Sequence, residues 1–355
     1  MTQAAPDPVA DELLRRLPAS PDAYLQKLDL VALTVLLVEF GAAQYRSASF
    51  LDDRILGPTT KGAWLPLDRI DEGSRRVVDP RPLHYIFHTG HVGSTLVSRV
   101  LDETGVVLSL REPLPLRTLA DAHDALGRSD SLLTGPQFDS ILGALTRLWS
   151  RGYDATRSVV VKATSSAGRL APALLDRREG SRAIYLNLRA EPYLATLLAG
   201  RNSPLDLRGH GAERMRRLAA SVAAPVAPLH AMSLGELAAM SWLVESRAQR
   251  AAALRYPGRV LPVDFEAFIS AAADGTRRVL AHFELPPDER FLSAIGRSAA
   301  LNRYSKAPEY AYTPELRAEV LRESRRQNRD EIARGMQWLE RLARSDAAVA
   351  EVLSG

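Results

Sequence analysis

The sequence predicts an α/β fold, a parallel sheet flanked by helices in three layers. A mainly helical appendage is expected over residues 1–80, and the sheet domain over 81–355. Three observations carry this expectation. Short apolar runs recur between Leu83 and Val263. Helical patterns separate them, which is the rhythm of parallel strands covered on both faces. The first run opens into a glycine-bearing loop and then a helix.

The elements follow in order. Asp11 to Leu17 and Pro21 to Ala43 read as helices, with Ser20 as cap of the second. Tyr45 to Pro66 mixes aromatics, Gly and Pro and reads as irregular chain or short strands. Arg75 to Pro82 reads as a connector. Leu83 to His88, Val106 to Leu110, Ser158 to Val161, Ala183 to Leu188 and Val260 to Val263 read as strands. Thr95 to Glu103, Leu114 to Leu126, Gly135 to Arg151 and Ser233 to Tyr256 read as helices, and another starts at Pro192. Arg317 to Arg334 has mixed charge at helical spacing and reads as a solvated helix rather than a nucleic-acid face.

Composition narrows the function. The 46 basic residues barely exceed the 42 acidic ones, for a net charge of +4. That balance suits a local anion site better than a nucleic-acid-binding face. Only Lys27, Lys61, Lys162 and Lys306 are lysines. There is no cysteine, which excludes disulfides, thiolate metal sites and cysteine nucleophiles. The acidic N-terminal segment lacks the bases of a signal peptide, and Leu30 to Val38 is too short to span a bilayer. A cytoplasmic protein without a membrane span is expected.

The chemistry starts in the segment from His84 to Arg99, where a strand runs into His88-Thr-Gly-His-Val-Gly-Ser94 and then a helix. Gly90 and Gly93 let the backbone approach a ligand. The amides of Gly93, Ser94 and Thr95 stand at a helix N-terminus, with the dipole behind them. The hydroxyls of Ser94 and Thr95 add donors. The residue after Gly93 is serine, so this is not the G-x-x-x-x-G-K-[ST] loop of nucleoside triphosphatases. A plain βα turn of small residues is the other reading of such a loop.

The run His91-Val-Gly93-Ser94-Thr95 resembles the 5′-phosphosulfate loop of the sulfotransferase family. Where this chain has His91, the family usually has Lys or Arg, and a protonated histidine would have to serve. The resemblance covers residues 83–306. It implies PAPS (3′-phosphoadenylyl sulfate) as co-substrate, a P-loop three-layer fold, and a hydroxyl acceptor, small molecule or glycan, of unstated identity.

Further residues fit the same reading. Arg111 and Glu112 end the second strand, taken to lie beside the first, at the carboxyl edge where ligands sit in open α/β sheets. The resemblance implies Glu112 as general base, with Arg111 holding it or the sulfuryl oxygens. Lys162 ends a valine-rich strand, and the family's strand-end lysine contacts the transferred group. Arg189 before Pro192 resembles the 3′-phosphate motif; Thr196 is the nearest hydroxyl on the following helix, with Ser203 behind it. Arg303 and Lys306 form a basic cluster that closes over the same phosphate or serves as a plain loop.

No metal is expected. Alternation puts His84 and His88 on one face, but His91 lies in the loop and no carboxylate is near in sequence. No Gly-x-Ser-x-Gly elbow is present. A divergent kinase using ATP and Mg²⁺, and a non-catalytic nucleotide-binding protein of the same fold, remain as alternatives.

Overall fold

The chain's first helix, Pro8–Arg16, is capped by Asp7, whose Oδ1 accepts from the amides of Val9 and Ala10. The computed structural model describes residues 7–222, 225–302 and 313–354. After this helix the chain departs from the helical appendage that its sequence suggests. Within residues 21–43 the chain forms a β-hairpin instead of a helix, with β1 (Ala23–Asp29) antiparallel to β2 (Thr34–Glu39). β3 (Gly62–Pro66) pairs with β2 to complete a three-stranded sheet. The hairpin turn explains the correction. Asp29 Oδ1 accepts from the amides of Val31 and Ala32, both at 2.9 Å, and Leu33 turns left-handed with φ 51°. β-branched Thr34, Val35 and Val38 then suit a strand.

The second sheet has five parallel strands: β4 (Leu83–His88), β5 (Val107–Arg111), β6 (Ser158–Lys162), β7 (Ala183–Asn187) and β8 (Val260–Asp264). Their order is β5-β6-β4-β7-β8. Every residue of β4, β5 and β6 is buried, the polar His84, Ser109, Arg111 and Lys162 included. β5 is not beside β4, as the sequence reading had it; β6 lies between them. Burial is the same for all three strands, so local pattern cannot rank them across the sheet.

Helices cover both faces. On one side, Leu114–Ala125 and Gly135–Trp149 pack with the N-terminal hairpin in a single hydrophobic cluster. On the other lie Ser94–Glu103, Ala190–Leu198, Leu234–Arg255 and Arg329–Ser345. Buried Arg151 ties the N-terminal segment down. Its guanidinium donates to the carbonyls of Leu148, Leu17, Ser20 and Ala23 at 2.6–3.0 Å. Among the described residues no helix is long and apolar enough to cross a membrane.

Candidate active site

β4 ends at His88, and the chain turns through Gly90 (φ 96°), His91 (φ 52°) and Gly93 (φ 68°) into the helix Ser94–Glu103. His88 is built into this turn. Its Nδ1 accepts from the Gly90 amide at 3.1 Å, so Nε2 carries the proton donated to the Ala163 carbonyl at 2.8 Å. Buried His84 accepts the Arg182 amide on Nδ1 and stacks on Phe283. Burial pushes it down to about 4.

The helix N-cap is Gly93, which has no side chain to satisfy the first-turn amides. Those amides have no carbonyl of their own helix to meet. Thr95, in the same first turn, is buried, and its Oγ1 has no hydrogen-bond partner among the described residues. Ser94 is buried beside it. A phosphate or sulfate oxygen would satisfy these donors together. Gly93 has a further use beside the one that the sequence suggests. A Cβ there would meet the Phe265 ring at 2.0 Å, so the glycine admits Phe265 as well as the left-handed turn. Gly90 faces Ser165 and the Tyr193 hydroxyl at 3.5–3.6 Å from where a Cβ would stand.

Glu112 and Lys162 come together. β5 and β6 pair with Arg111 opposite Lys162, and the Glu112 amide donates to the Lys162 carbonyl at 2.7 Å. The Lys162 ammonium donates to the Glu112 carboxylate; the lysine is fully buried and the glutamate is 22% exposed at the side chain. Glu112 holds φ 53°, so two non-glycine residues of the candidate site, Glu112 and His91, are left-handed. Strain of this kind collects at ligand clamps and active sites.

Arg111 does not share that site. It is fully buried and turned into the fold. Nη1 pairs with Asp102 at 2.5 Å, Nε donates to the Ala48 carbonyl at 2.7 Å, and Nη2 donates to the carbonyls of Tyr45 and Arg46. Its donors are spent on anchoring the helix Ala42–Ser47, so the role of holding Glu112 or sulfuryl oxygens does not fit.

Arg189 leaves β7 at the carboxyl edge and caps the helix Ala190–Leu198; it is exposed. β7 adjoins β4, and the Thr89 amide donates to the Leu186 carbonyl at 3.1 Å. Arg189 thus shares the edge of the loop without contacting it in the described structure. Thr196 donates to the Pro192 carbonyl at 2.7 Å, and Ser203 to that of Leu197. Both hydroxyl protons are committed to the backbone. His91 is exposed in the loop. Arg303 and Lys306 lie outside the described residues.

The structure adds residues that local pattern did not single out. Tyr193 donates to the Thr89 carbonyl at 3.0 Å, and Thr89 Oγ1 donates to Asn187 at 3.0 Å, so both brace the loop. From the N-terminal segment, Leu51 donates its amide to the Arg111 carbonyl at 2.7 Å. Its own carbonyl accepts from Leu114, which brackets Glu112. Phe50 is then held with its ring centroid 5.8 Å from Lys162 Nζ, and Arg54 stacks on the same ring at 3.7 Å. These contacts join distant stretches of chain. The one local hint was the aromatic character of residues 45–66.

No protein-family model matches the chain, and neither does any curated protein. Among solved structures it is similar to a mouse sulfotransferase complexed with PAP, at 11% identity and a TM-score of 0.40, over 81% of this chain and 92% of that one. A sulfotransferase from Mycobacterium avium matches at 13% identity and 0.37, over 92% and 98%. The sulfotransferase domain of the Synechococcus PCC 7002 olefin synthase matches at 16% and 0.39, over 78% and 94%.

Proposed function

We propose that this protein transfers a sulfuryl group from PAPS to a hydroxyl acceptor. The observation that carries the reading is the Lys162–Glu112 pair on the same carboxyl edge of the sheet as the loop into an uncapped helix tip with an unpartnered Thr95 hydroxyl. A tip of that chemistry fits a phosphosulfate, and the absence of a loop lysine sets it apart from triphosphate loops.

The donor supplies the sulfuryl group, and the sulfur–oxygen bond to its phosphate breaks as one to the acceptor oxygen forms. Glu112 takes the acceptor's proton. Lys162, the amides of Ser94 and Thr95, and a protonated His91 offset the negative charge left on the donor phosphate. Lys162 already touches Glu112, so one cation both orients the base and faces the developing charge. Arg189 holds the nucleotide's 3′-phosphate through a charge-assisted hydrogen bond.

Calorimetric titration tests this. Adenosine 3′,5′-bisphosphate binds and ATP with Mg²⁺ does not, if the reading holds. Binding of ATP–Mg²⁺ alone overturns it in favour of a kinase. Binding of neither leaves no donor site and overturns it as well.

A further inference from the structure

A groove of about 710 Å³ runs along β8, the edge strand of the parallel sheet. Trp242, Ala253 and Leu254 of the helix Leu234–Arg255 form one wall. Phe268 and Val279, from the helices Phe265–Ser270 and Ala272–His282, form the other. The helix Leu234–Arg255 joins β8 by a short turn, so the two run antiparallel. Trp242 therefore stands near the carboxyl end of β8 and Leu254 near its amino end. Leu254 is 70% exposed, a large apolar side chain turned to water.

The charges along this groove are uneven in their pairing. Its three carboxylates are all engaged. Asp264 accepts the Ala267 amide, Asp274 pairs with Arg277, and Glu351 pairs with Arg250. Two of its three arginines, Arg189 and Arg278, have no carboxylate partner among the described residues. Pro262 sits mid-strand on the edge and offers no N–H. A peptide strand therefore finds no continuous ladder there. A hydrocarbon chain needs none.

The groove is separate from the Glu112 site. β5 and β8 are opposite edges of the sheet, four strand spacings or about 19 Å apart. No residue of the loop 89–95 lines it.

We propose that this groove binds an unbranched alkyl carboxylate, its chain along β8 and its head on Arg278. Guanidinium groups match carboxylates in geometry, and the apolar walls take the chain. Arg189, which the donor reading assigns to the 3′-phosphate, lines the groove at the sheet's carboxyl edge, so the head is placed on Arg278, which has no part in that chemistry.

The test is calorimetry on the full chain with octanoate, decanoate and 1-octanol, all below micellar concentrations. One molecule binds per chain. Decanoate binds about tenfold tighter than octanoate, as two buried methylenes require. Octanoate binds at least fivefold tighter than 1-octanol, and Arg278→Gln erases that preference. Ala253→Trp fills the groove and abolishes binding while the affinity for adenosine 3′,5′-bisphosphate stays within twofold. Leu254→Asp, at an exposed position, gives the same loss should the tryptophan variant not fold. Equal affinity for acid and alcohol in the parent protein overturns the proposal. Undiminished binding in Ala253→Trp or Leu254→Asp does so too. Displacement by the bisphosphate, with loss in Thr95→Val, would place the chain in the loop site and reject the groove.

Discussion

Lys162, fully buried at the end of β6, donates to the carboxylate of Glu112 where the chain leaves β5. The pair is held twice, since the Glu112 amide also bonds the Lys162 carbonyl. Register therefore fixes the two side chains, and the left-handed Glu112 turns its carboxylate back over the neighbouring strand's end. In the proposed transfer, a base and a cation fixed this way would need little rearrangement to act.

Glu112→Gln keeps an acceptor for the Lys162 ammonium but cannot take a proton. Sulfuryl transfer should fall by about 100-fold or more. Affinity for adenosine 3′,5′-bisphosphate, measured by calorimetry, should stay within twofold. Turnover close to that of the parent would remove Glu112 as the base.

Arg189→Ala should weaken bisphosphate binding by about 1.5–3 kcal/mol, the value of a hydrogen bond to a charged group. Its melting temperature should not move, because the side chain is exposed. Thr196→Val and Ser203→Ala should leave the affinity as it is, since both hydroxyls donate to carbonyls of the fold.

Arg111→Met should cost about 3–5 kcal/mol of stability by urea denaturation. It strips the largely buried Asp102 of its cation and takes a donor from the carbonyls of Ala48 and Tyr45, while that of Arg46 keeps Arg99. A variant as stable as the parent yet inactive would return Arg111 to the chemistry.

His84 sets a pH dependence. Burial, the largest cause, pushes its pKa down from 6.5 to about 4. The unfolded chain takes up this proton below about pH 6.5 and the folded one resists it. The contribution is thus complete above 6.5 and is lost as pH falls toward 4, about 3 kcal/mol in total. Denaturation midpoints at pH 7 and pH 4.5 should differ less in His84→Asn than in the parent. Equal differences would show that the ring is protonated in the fold.

Much of the architecture was legible along the chain. The parallel strands announced themselves as short apolar stretches, most clearly β4, β5 and β6, which are buried along their whole length; the edge strand β8 is partly exposed. The long helix from Ser233 was readable too, and the structure adds the cap that starts it. Ser233 accepts from the Glu236 amide, and Glu236 reaches back to the Ser233 amide, as that spacing requires. The loop at Gly93 and the strand-end positions of Glu112, Lys162 and Arg189 belong to the same class. Each follows from backbone periodicity and residue type over a few neighbours.

What the sequence could not decide was which distant stretches meet. Residues 21–43 carry enough apolar residues for a helix, and pairing with β3, far along the chain, makes them a hairpin. Arg111 and Glu112 are adjacent in sequence, yet one is buried against carbonyls of residues 45–48 and the other faces Lys162. Sequence by itself determined that charged groups end buried strands near a glycine-bearing loop that opens into a helix. The tertiary structure decided sheet order, the Lys162–Glu112 contact and the placing of Phe50. The reason is physical: local propensity acts over a turn or two, whereas partners across a sheet are chosen by the burial of the whole core.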